Sequence, residues 1–417
     1  MYKFVHISDC HLGAWKSLET QRLEIESFNF ALDSAIKEKV DFIIIAGDLF
    51  HANLPDLGVV RKAVKKLRDV YNAGIPIYVV YGSHDYSPNE NSMIDILNDA
   101  GLIIKLKTGV DVDGKIRLEF TQDVKTGAKL VGISGRKLGI EKQYYEMLDR
   151  EALEEEKGFK IFILHIGLDE LKPSFMAEME SIPISFLPKN FDYYAGGHIH
   201  RSAKEDFRGF GPVCYPGTTF AGYPRDLEDS SKGTKRGFFI VDFDEKIRNI
   251  RFVENKLVDY LYHEYDAGGK HPNQVQEELA TQVSKLNVKN KIVVLKIKGE
   301  LVSGKTSDVN FSEIIQQIYT NQALHVERNR YDFRSKEYQP TVSSGENPMQ
   351  IEERVFLENM GSATVSINEL KGEQGAKKAI SLLSILREDQ KINERQTDYH
   401  ERILSSSKAL LKLDDIT

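Results

Sequence analysis

Two features of the 417-residue chain predict a layered α/β fold. Short apolar runs alternate with stretches of helical periodicity through the first half, as in stacked βα units rather than a sandwich or a bundle. The polar clusters that could carry chemistry fall just past the ends of those runs, at the rim where layered α/β folds place their sites. Residues 2–8 read as a strand that runs into Asp9-Cys10-His11. Residues 20–37 set Leu23, Ile25, Phe28, Ala31, Leu32 and Ile36 on one helical face, enough to cover a sheet. Residues 41–46 form a buried strand ending in Gly47-Asp48, and a helix follows over 57–71. The next strand, 75–81, ends at Gly82-Ser83-His84-Asp85, and further strands fit 129–134, 160–165 and 193–196.

After residue 255 the texture changes. Residues 291–299 read as a strand, 312–319 as a helix and 324–331 as another strand, so a small α/β unit with its own core is expected at 256–335. Pro340, Ser343, Ser344, Gly345 and Pro348 suit a linker over 336–350. Beyond it, over 351–417, only helical patterns remain: Ala379, Ile380, Leu383 and Leu386 share one face, and Ile403, Leu404, Leu410 and Leu411 another. Two short amphipathic helices cannot bury such stripes alone, which calls for a docking partner.

Hydrophobic residues at 41% and charged residues at 29% exclude collagen-like, mucin-like and mostly disordered classes. A net charge of −7 excludes a uniformly basic coat for nucleic acid but leaves room for local basic patches. Cys10 and Cys214 cannot make a disulfide framework and suit a reducing compartment. No apolar run approaches the ~20 residues of a bilayer span, and no secretory pattern opens the chain. The expectation is a cytoplasmic protein, nucleoid-associated in a prokaryote, without a membrane partner.

His6, His11, His51, His84, His165, His198 and His200 crowd the first half, most of them at strand ends beside Asp or Gly. Singly, each motif has a plain reading: Asp9-Cys10-His11 is a polar turn, Gly47-Asp48 an approach to a helix, His198-Ile199-His200 an exposed alternation. Jointly they do not. Imidazole and carboxylate are the ligands of borderline divalent metals such as Mn, Fe or Zn, and the spacing of Asp9 with His11 and of His198 with His200 aims two side chains the same way from extended backbone. His6 lies within its strand and reads as a core residue, and Cys10 alternates away from its neighbours.

The order Asp9-Cys10-His11, Gly47-Asp48, Gly82-Ser83-His84-Asp85, His165, Gly197-His198-Ile199-His200 resembles the calcineurin-like metallophosphoesterase superfamily over residues 1–255. The wording of His6-Ile7-Ser8-Asp9-Cys10-His11-Leu12-Gly13 and Gly47-Asp48-Leu49-Phe50-His51 is similar to the SbcD/meiotic-recombination-eleven type nucleases of DNA double-strand-break repair. The resemblance implies a nuclease domain at 1–255, a DNA-binding capping domain at 256–335 and, over 351–417, a segment that binds an SMC-like ABC ATPase. It also implies two Mn2+ ions, or other divalent ions, held by Asp9, His11 and His200 on one side and His165 and His198 on the other, with Asp48 bridging. His84 and His51 would serve the reacting phosphate, with Asp85 orienting the His84 ring. DNA ends and single strands would be substrates, cut by a 3′ to 5′ exonuclease and an endonuclease.

One position departs from that pattern. The family usually has Asn before the histidine, giving an amide oxygen to the second metal, whereas this chain has Ser83, a shorter neutral donor. Arg61, Lys62, Lys65, Lys66 and Arg68 read as a solvated helix face. Leu57, Val59, Val60, Ala63, Val64 and Leu67, with Met93, Ile94, Ile96 and Leu97, suit either core packing or the two-fold dimer contact that the family makes there. Two rival readings use the same residues: a phosphomonoesterase or cyclic-nucleotide phosphodiesterase, and a DNA-end scaffold with weak catalysis, which Ser83 favours.

Overall fold

The computed structural model describes residues 1–87, 91–107, 109–136, 140–172, 180–335, 372–391 and 394–411. The first-half strands are buried on both faces because alternate side chains enter two different cores. From Tyr2–Ile7 and Phe42–Ala46, the residues Val5, Ile7, Ile43 and Ile45 meet Phe28, Leu32, Ala63 and Leu67 of two covering helices. Phe4, Phe42, Ile44 and Ala46 point the other way, onto Leu130, Ile161, Ile163, Tyr193 and Ala195 of a second sheet. The far face of that sheet, with Val131, Phe162, Leu164 and Tyr194, packs on Tyr145, Leu148 and Leu153. The layers are therefore helix, sheet, sheet, helix, as the alternation of apolar runs predicts.

The first sheet has the order Ile247–Glu254, Gly237–Phe243, Tyr2–Ile7, Phe42–Ala46, Ile77–Val80, Ile104–Lys105. The second runs Ala203–Glu205, Val213–Tyr215, Tyr193–Gly197, Lys160–His165, Lys129–Ile133, Thr121–Gln122. In the first, Tyr2–Ile7 lies parallel to Phe42–Ala46 and antiparallel to Gly237–Phe243, so the sheets are mixed. Helices Leu18–Lys37 and Leu57–Asn72 start at Ser17 and Asp56, whose side chains accept backbone N–H groups of the first turn.

Past residue 256, Asp259–Asp266 pairs in parallel with Lys291–Leu301, and His325–Ser335 completes a three-stranded sheet. Helices Pro272–Val283 and Phe311–Thr320 cover one face, burying Val275, Leu279, Ile314 and Ile318 on Val293, Leu295 and Ile297. The opposite face, with Ile292, Val294, Tyr260 and Tyr262, packs on Trp15, Leu23, Phe220, Ala221 and Leu227, so residues Met1–Arg334 make one compact unit.

Ser335–Thr417 form a second unit. Within it Gly372–Leu386 and Gln396–Leu411 are helices, joined in part by Arg402, whose Nε donates to Glu394 at 2.7 Å, and by the Tyr399 hydroxyl, which donates to the Glu388 carbonyl at 3.0 Å. The linker expected at 336–350 and the stretches 351–371 and 412–417 lie outside the described residues. Among the described residues no helix is long and apolar enough to cross a membrane.

Candidate metal centre

Parallel strands that end side by side bring their following loops together. The Asp9 N–H donates to the Gly47 carbonyl at 3.1 Å and the His11 N–H to the Asp48 carbonyl at 2.9 Å, stitching the first two loops. In the second sheet His165 and Gly197 lie in register at the ends of their strands. The expectation of extended backbone at these motifs is corrected here. Asp9, His11, Asp48 and His198 have φ values of 50°, 46°, 50° and 86°, in the left-handed region that non-glycine residues avoid. Tight turns, not strand alternation, aim these side chains inward, at a conformational cost that the surrounding hydrogen bonds hold in place. Gly47 allows the approach: with φ at 82°, a Cβ there would stand 2.2 Å from His165 Nδ1.

Three trios of possible ligand atoms result, each within 4.8 Å of one another: Asp9, His11, His200; Asp9, Asp48, His165; and, at the adjoining wall, His11, His51, His84. Asp48 Oδ2 lies 3.7 Å from His11 Nε2 and 3.2 Å from His165 Nε2, so one carboxylate faces both sides. His11 Nε2 and His200 Nε2 are 3.1 Å apart. Two imidazoles bound at right angles to one ion, each at about 2.1 Å, would have nitrogens about 3 Å apart. His198 is buried, its ring 5.3 Å from that of His165, and its N–H donates to both Asp9 oxygens at 3.0 and 3.1 Å. It stands outside all three trios; Ser83 is half-buried in the turn after Ile77–Val80.

The second nitrogen of each ring shows which lone pairs point inward. His165 Nδ1 donates to the Ala46 carbonyl at 2.8 Å, leaving the buried Nε2 to face Asp48 Oδ2 at 3.2 Å. His200 Nδ1 donates to Asp226 Oδ2 at 2.8 Å, which leaves its Nε2 facing His11. Asp226 is itself held by the N–H groups of Gly222 and Tyr223, each at 3.0 Å, and by Arg236 at 3.5 Å. A carboxylate behind a ligating histidine fixes its tautomer and raises its basicity.

Burial works against charge throughout the cluster, and the balance differs by residue. Asp48 is desolvated, yet the imidazoles of His165, His11 and His84 outweigh that and hold its carboxyl far below the usual range. His165 is desolvated too, but the Asp48 carboxylate lifts it to about 10. Burial raises the Asp9 carboxyl against the pull of His165 and His200, and lowers His198 to about 3. The Asp226 carboxyl, despite burial, is pulled to about 2 by His200. Buried acids and inward lone pairs that stabilise a proton between them fit a divalent cation, and the mixed nitrogen and oxygen donors suit a borderline one.

The other expected residues gather at one wall. His84 donates its N–H to Asp48 Oδ1 and its Nδ1–H to the His51 carbonyl, both at 2.8 Å, while its Nε2 meets the Tyr223 hydroxyl at 2.7 Å. The His51 ring stacks on His84 at 4.8 Å, and its Nδ1 is 3.4 Å from His11 Nδ1. The role expected for Asp85 is corrected. Its carboxylate accepts the N–H groups of Leu49, Phe50 and Gly82 at 3.0 to 3.1 Å, so it braces the two loops instead of orienting the His84 ring. Burial beside Asp48 pushes the Asp85 carboxyl up to about 7. His6 is buried in its strand with Nδ1 3.0 Å from the Tyr193 hydroxyl. Asp226, Arg236 and Tyr223, whose ring stacks on His200 at 5.5 Å, were not legible in the sequence. An acid in the first turn of Pro224–Ser231 looks like any helix start.

Residues 2–202 match the family described as calcineurin-like phosphoesterase. The first half of the chain is a calcineurin-like phosphoesterase domain. Enzymes of this family use a two-metal site, and the trios supply candidate ligands for one. The DNA double-strand break repair protein Mre11 of Archaeoglobus fulgidus is 29% identical over 259 residues, 57% of this chain and 57% of that protein. The Sulfolobus acidocaldarius protein of the same name is 28% identical over 69% of this chain and 72% of its own length. That of Methanocaldococcus jannaschii is 30% identical over 60% and 65%. The chain thus spans little more than half of the first relative. The likeness supports the Mre11/SbcD-type branch of the phosphoesterases. A dimetal phosphatase from Danio rerio covers 61% of this chain and 96% of its own at 11% identity and a TM-score of 0.39, too loose a likeness to carry argument.

Proposed function

We propose that this phosphoesterase is a Mn2+-dependent DNA phosphodiesterase of double-strand-break repair, acting as a 3′ to 5′ exonuclease and single-strand endonuclease. The observation that carries the reading is the Asp48 carboxylate facing His11 on one side and His165 on the other, inside a buried cluster with inward lone pairs. Asp9, His11 and His200 would hold one ion, His165, His198 and Ser83 the second, and Asp48 both. Such ions, when bound, would supply positive charge to the phosphodiester and acidify a water near neutral pH. His84 has Nδ1 committed to backbone, so Nε2, which meets the Tyr223 hydroxyl in this structure, is the atom that would hold a proton for the leaving oxygen. His51, stacked on it, lines the same wall for the phosphate.

The same proposal takes 1–255 as the nuclease domain, 256–335 as a capping domain that touches DNA, and 351–417 as the segment that binds an SMC-like ABC ATPase, with 336–350 as linker. A homodimer is supported by Leu54, Leu57 and Ile96, which remain 72%, 78% and 56% exposed while Val59, Ala63, Leu67 and Met93 are spent on the core. A clean monomer at micromolar concentration would count against it.

The test is incubation with Mn2+ and linear duplex or circular single-stranded DNA, beside an aryl phosphomonoester. Degraded DNA, abolished by EDTA, is expected. Monoester turnover without DNA cleavage would move the assignment to a phosphomonoesterase. DNA binding with neither activity would leave an end-binding scaffold.

A further inference from the structure

We propose that Arg136 anchors the DNA backbone beside the reacting phosphate, an inference that rests on the phosphodiesterase reading. The segment after Lys129–Ile133 runs against the turn that carries Ser83: the Gly135 N–H donates to the Tyr81 carbonyl at 2.8 Å, and the Tyr81 N–H to Ser134 Oγ at 3.1 Å. Gly135 abuts the centre itself. A Cβ on it would stand 2.9 Å from His165 Cδ2 and 3.0 Å from the Ser83 nitrogen, so Arg136 issues from backbone in contact with the cluster.

Its guanidinium is held by aromatic faces. The central carbon lies 3.9 Å from the Tyr144 ring centre and 5.5 Å from that of Tyr86, the residue after Asp85. Among the described residues its one polar side-chain contact is long, Nη1 to the Tyr86 hydroxyl at 3.5 Å. Among the described residues no carboxylate pairs with this cation, whereas Arg22, Arg117, Arg236, Arg248 and Arg251 each lie within 4 Å of an acid. A planar cation stacked on rings loses little freedom on binding, and its fork of donors matches two oxygens of a phosphodiester. Tyr86 and Tyr144 thus preset the fork, and a strand entering the centre places a neighbouring phosphate on it.

The test uses R136M, which keeps an apolar stem between the rings, and R136K, which keeps charge without the fork. Binding of a labelled single-stranded oligonucleotide is measured across a salt series without divalent ion, so that no turnover intervenes. R136M is expected to weaken binding about tenfold or more and to flatten the slope of log affinity against log salt by about 0.7. R136K should recover the slope and only part of the affinity. In Mn2+ the loss should fall on KM more than on kcat. An arginine that merely props the helix Ile140–Glu146 would instead lower the melting temperature and leave the salt slope unmoved, overturning the inference. So would DNA cleavage with an unchanged KM and slope in R136M, while the nuclease reading would stand. Wild-type protein whose DNA binding depends on Arg136 but which cleaves no DNA in Mn2+ would remove the nuclease reading alone. Wild-type protein that binds no DNA would remove both.

Discussion

The two sides of the centre differ in what stands behind them. On the side of Asp9, His11 and His200, the rings are braced by side chains: Asp226 holds His200 and is itself held by Arg236 and two backbone N–H groups, while His51 backs His11. On the side of His165 and His198, His165 leans on a backbone carbonyl, and the position that would complete the set is Ser83. A charged brace strengthens the donor it orients, whereas a carbonyl mainly fixes the tautomer and a hydroxyl donates weakly. The difference teaches that two ion positions sharing one carboxylate need not share one affinity. On the proposed reading the first would stay filled, and the second would respond to free ion concentration or to bound DNA.

Removing the shared carboxylate should erase the contrast and give the largest effect. D48N is expected to abolish DNA hydrolysis, with a loss beyond the roughly 100-fold upper range for an outer partner, and to reduce Mn2+ stoichiometry by titration calorimetry. D226N acts on one side only. It should weaken the tighter Mn2+ site about 10- to 100-fold and leave the weaker one nearly unchanged; equal weakening of both would show that the sides are not independent. S83N should tighten the weaker site, by about tenfold or less, bringing the two closer together. An unchanged or weaker titrated affinity would show that the hydroxyl was not the limiting donor.

The smallest effect concerns stability behind the first side. Glu24 accepts the N–H groups of Gly13 and Ala14 at 2.8 and 3.1 Å, just after His11, and burial raises its carboxyl from 4.5 to about 8 in spite of them. A raised acid is protonated in the folded chain where the unfolded chain has already released its proton. Its contribution is complete below pH 4.5 and is lost as pH rises through about 8. The melting temperature should therefore decline over that window in the wild type and less so in E24Q, with Mn2+ stoichiometry at pH 7 the same in both. Parallel pH profiles would remove Glu24 from this account.

Much of the core was legible because burial imposes a period. Residues 2–8, 41–46 and 160–165 were readable as strands, and the structure has Tyr2–Ile7, Phe42–Ala46 and Lys160–His165. The helix expected at 57–71 is Leu57–Asn72. Asp259–Asp266 and Pro272–Val283 were not read, since an amphipathic edge strand beside a Gly-rich turn carries a weaker pattern than a doubly buried one. Within the centre, the motifs named His11, Asp48, His84, His165 and His200 but misjudged how they converge. Asp85 sits inside a motif yet spends its carboxylate on loop N–H groups, and Asp226 and Tyr223 sit outside every motif yet touch His200 and His84.

The order of the motifs, the layering of the core and the kinds of donor atoms available were determined by the chain alone, because hydrophobic period and side-chain chemistry are local properties. Which nitrogen of each imidazole faces inward, which acid stands behind which ring, and that Arg136 lies between two tyrosines with no carboxylate paired to it among the described residues were decided only in three dimensions. Those relations join residues far apart in the chain, 119 positions for His165 and Ala46 and 189 for His11 and His200, and no spacing along a sequence records them.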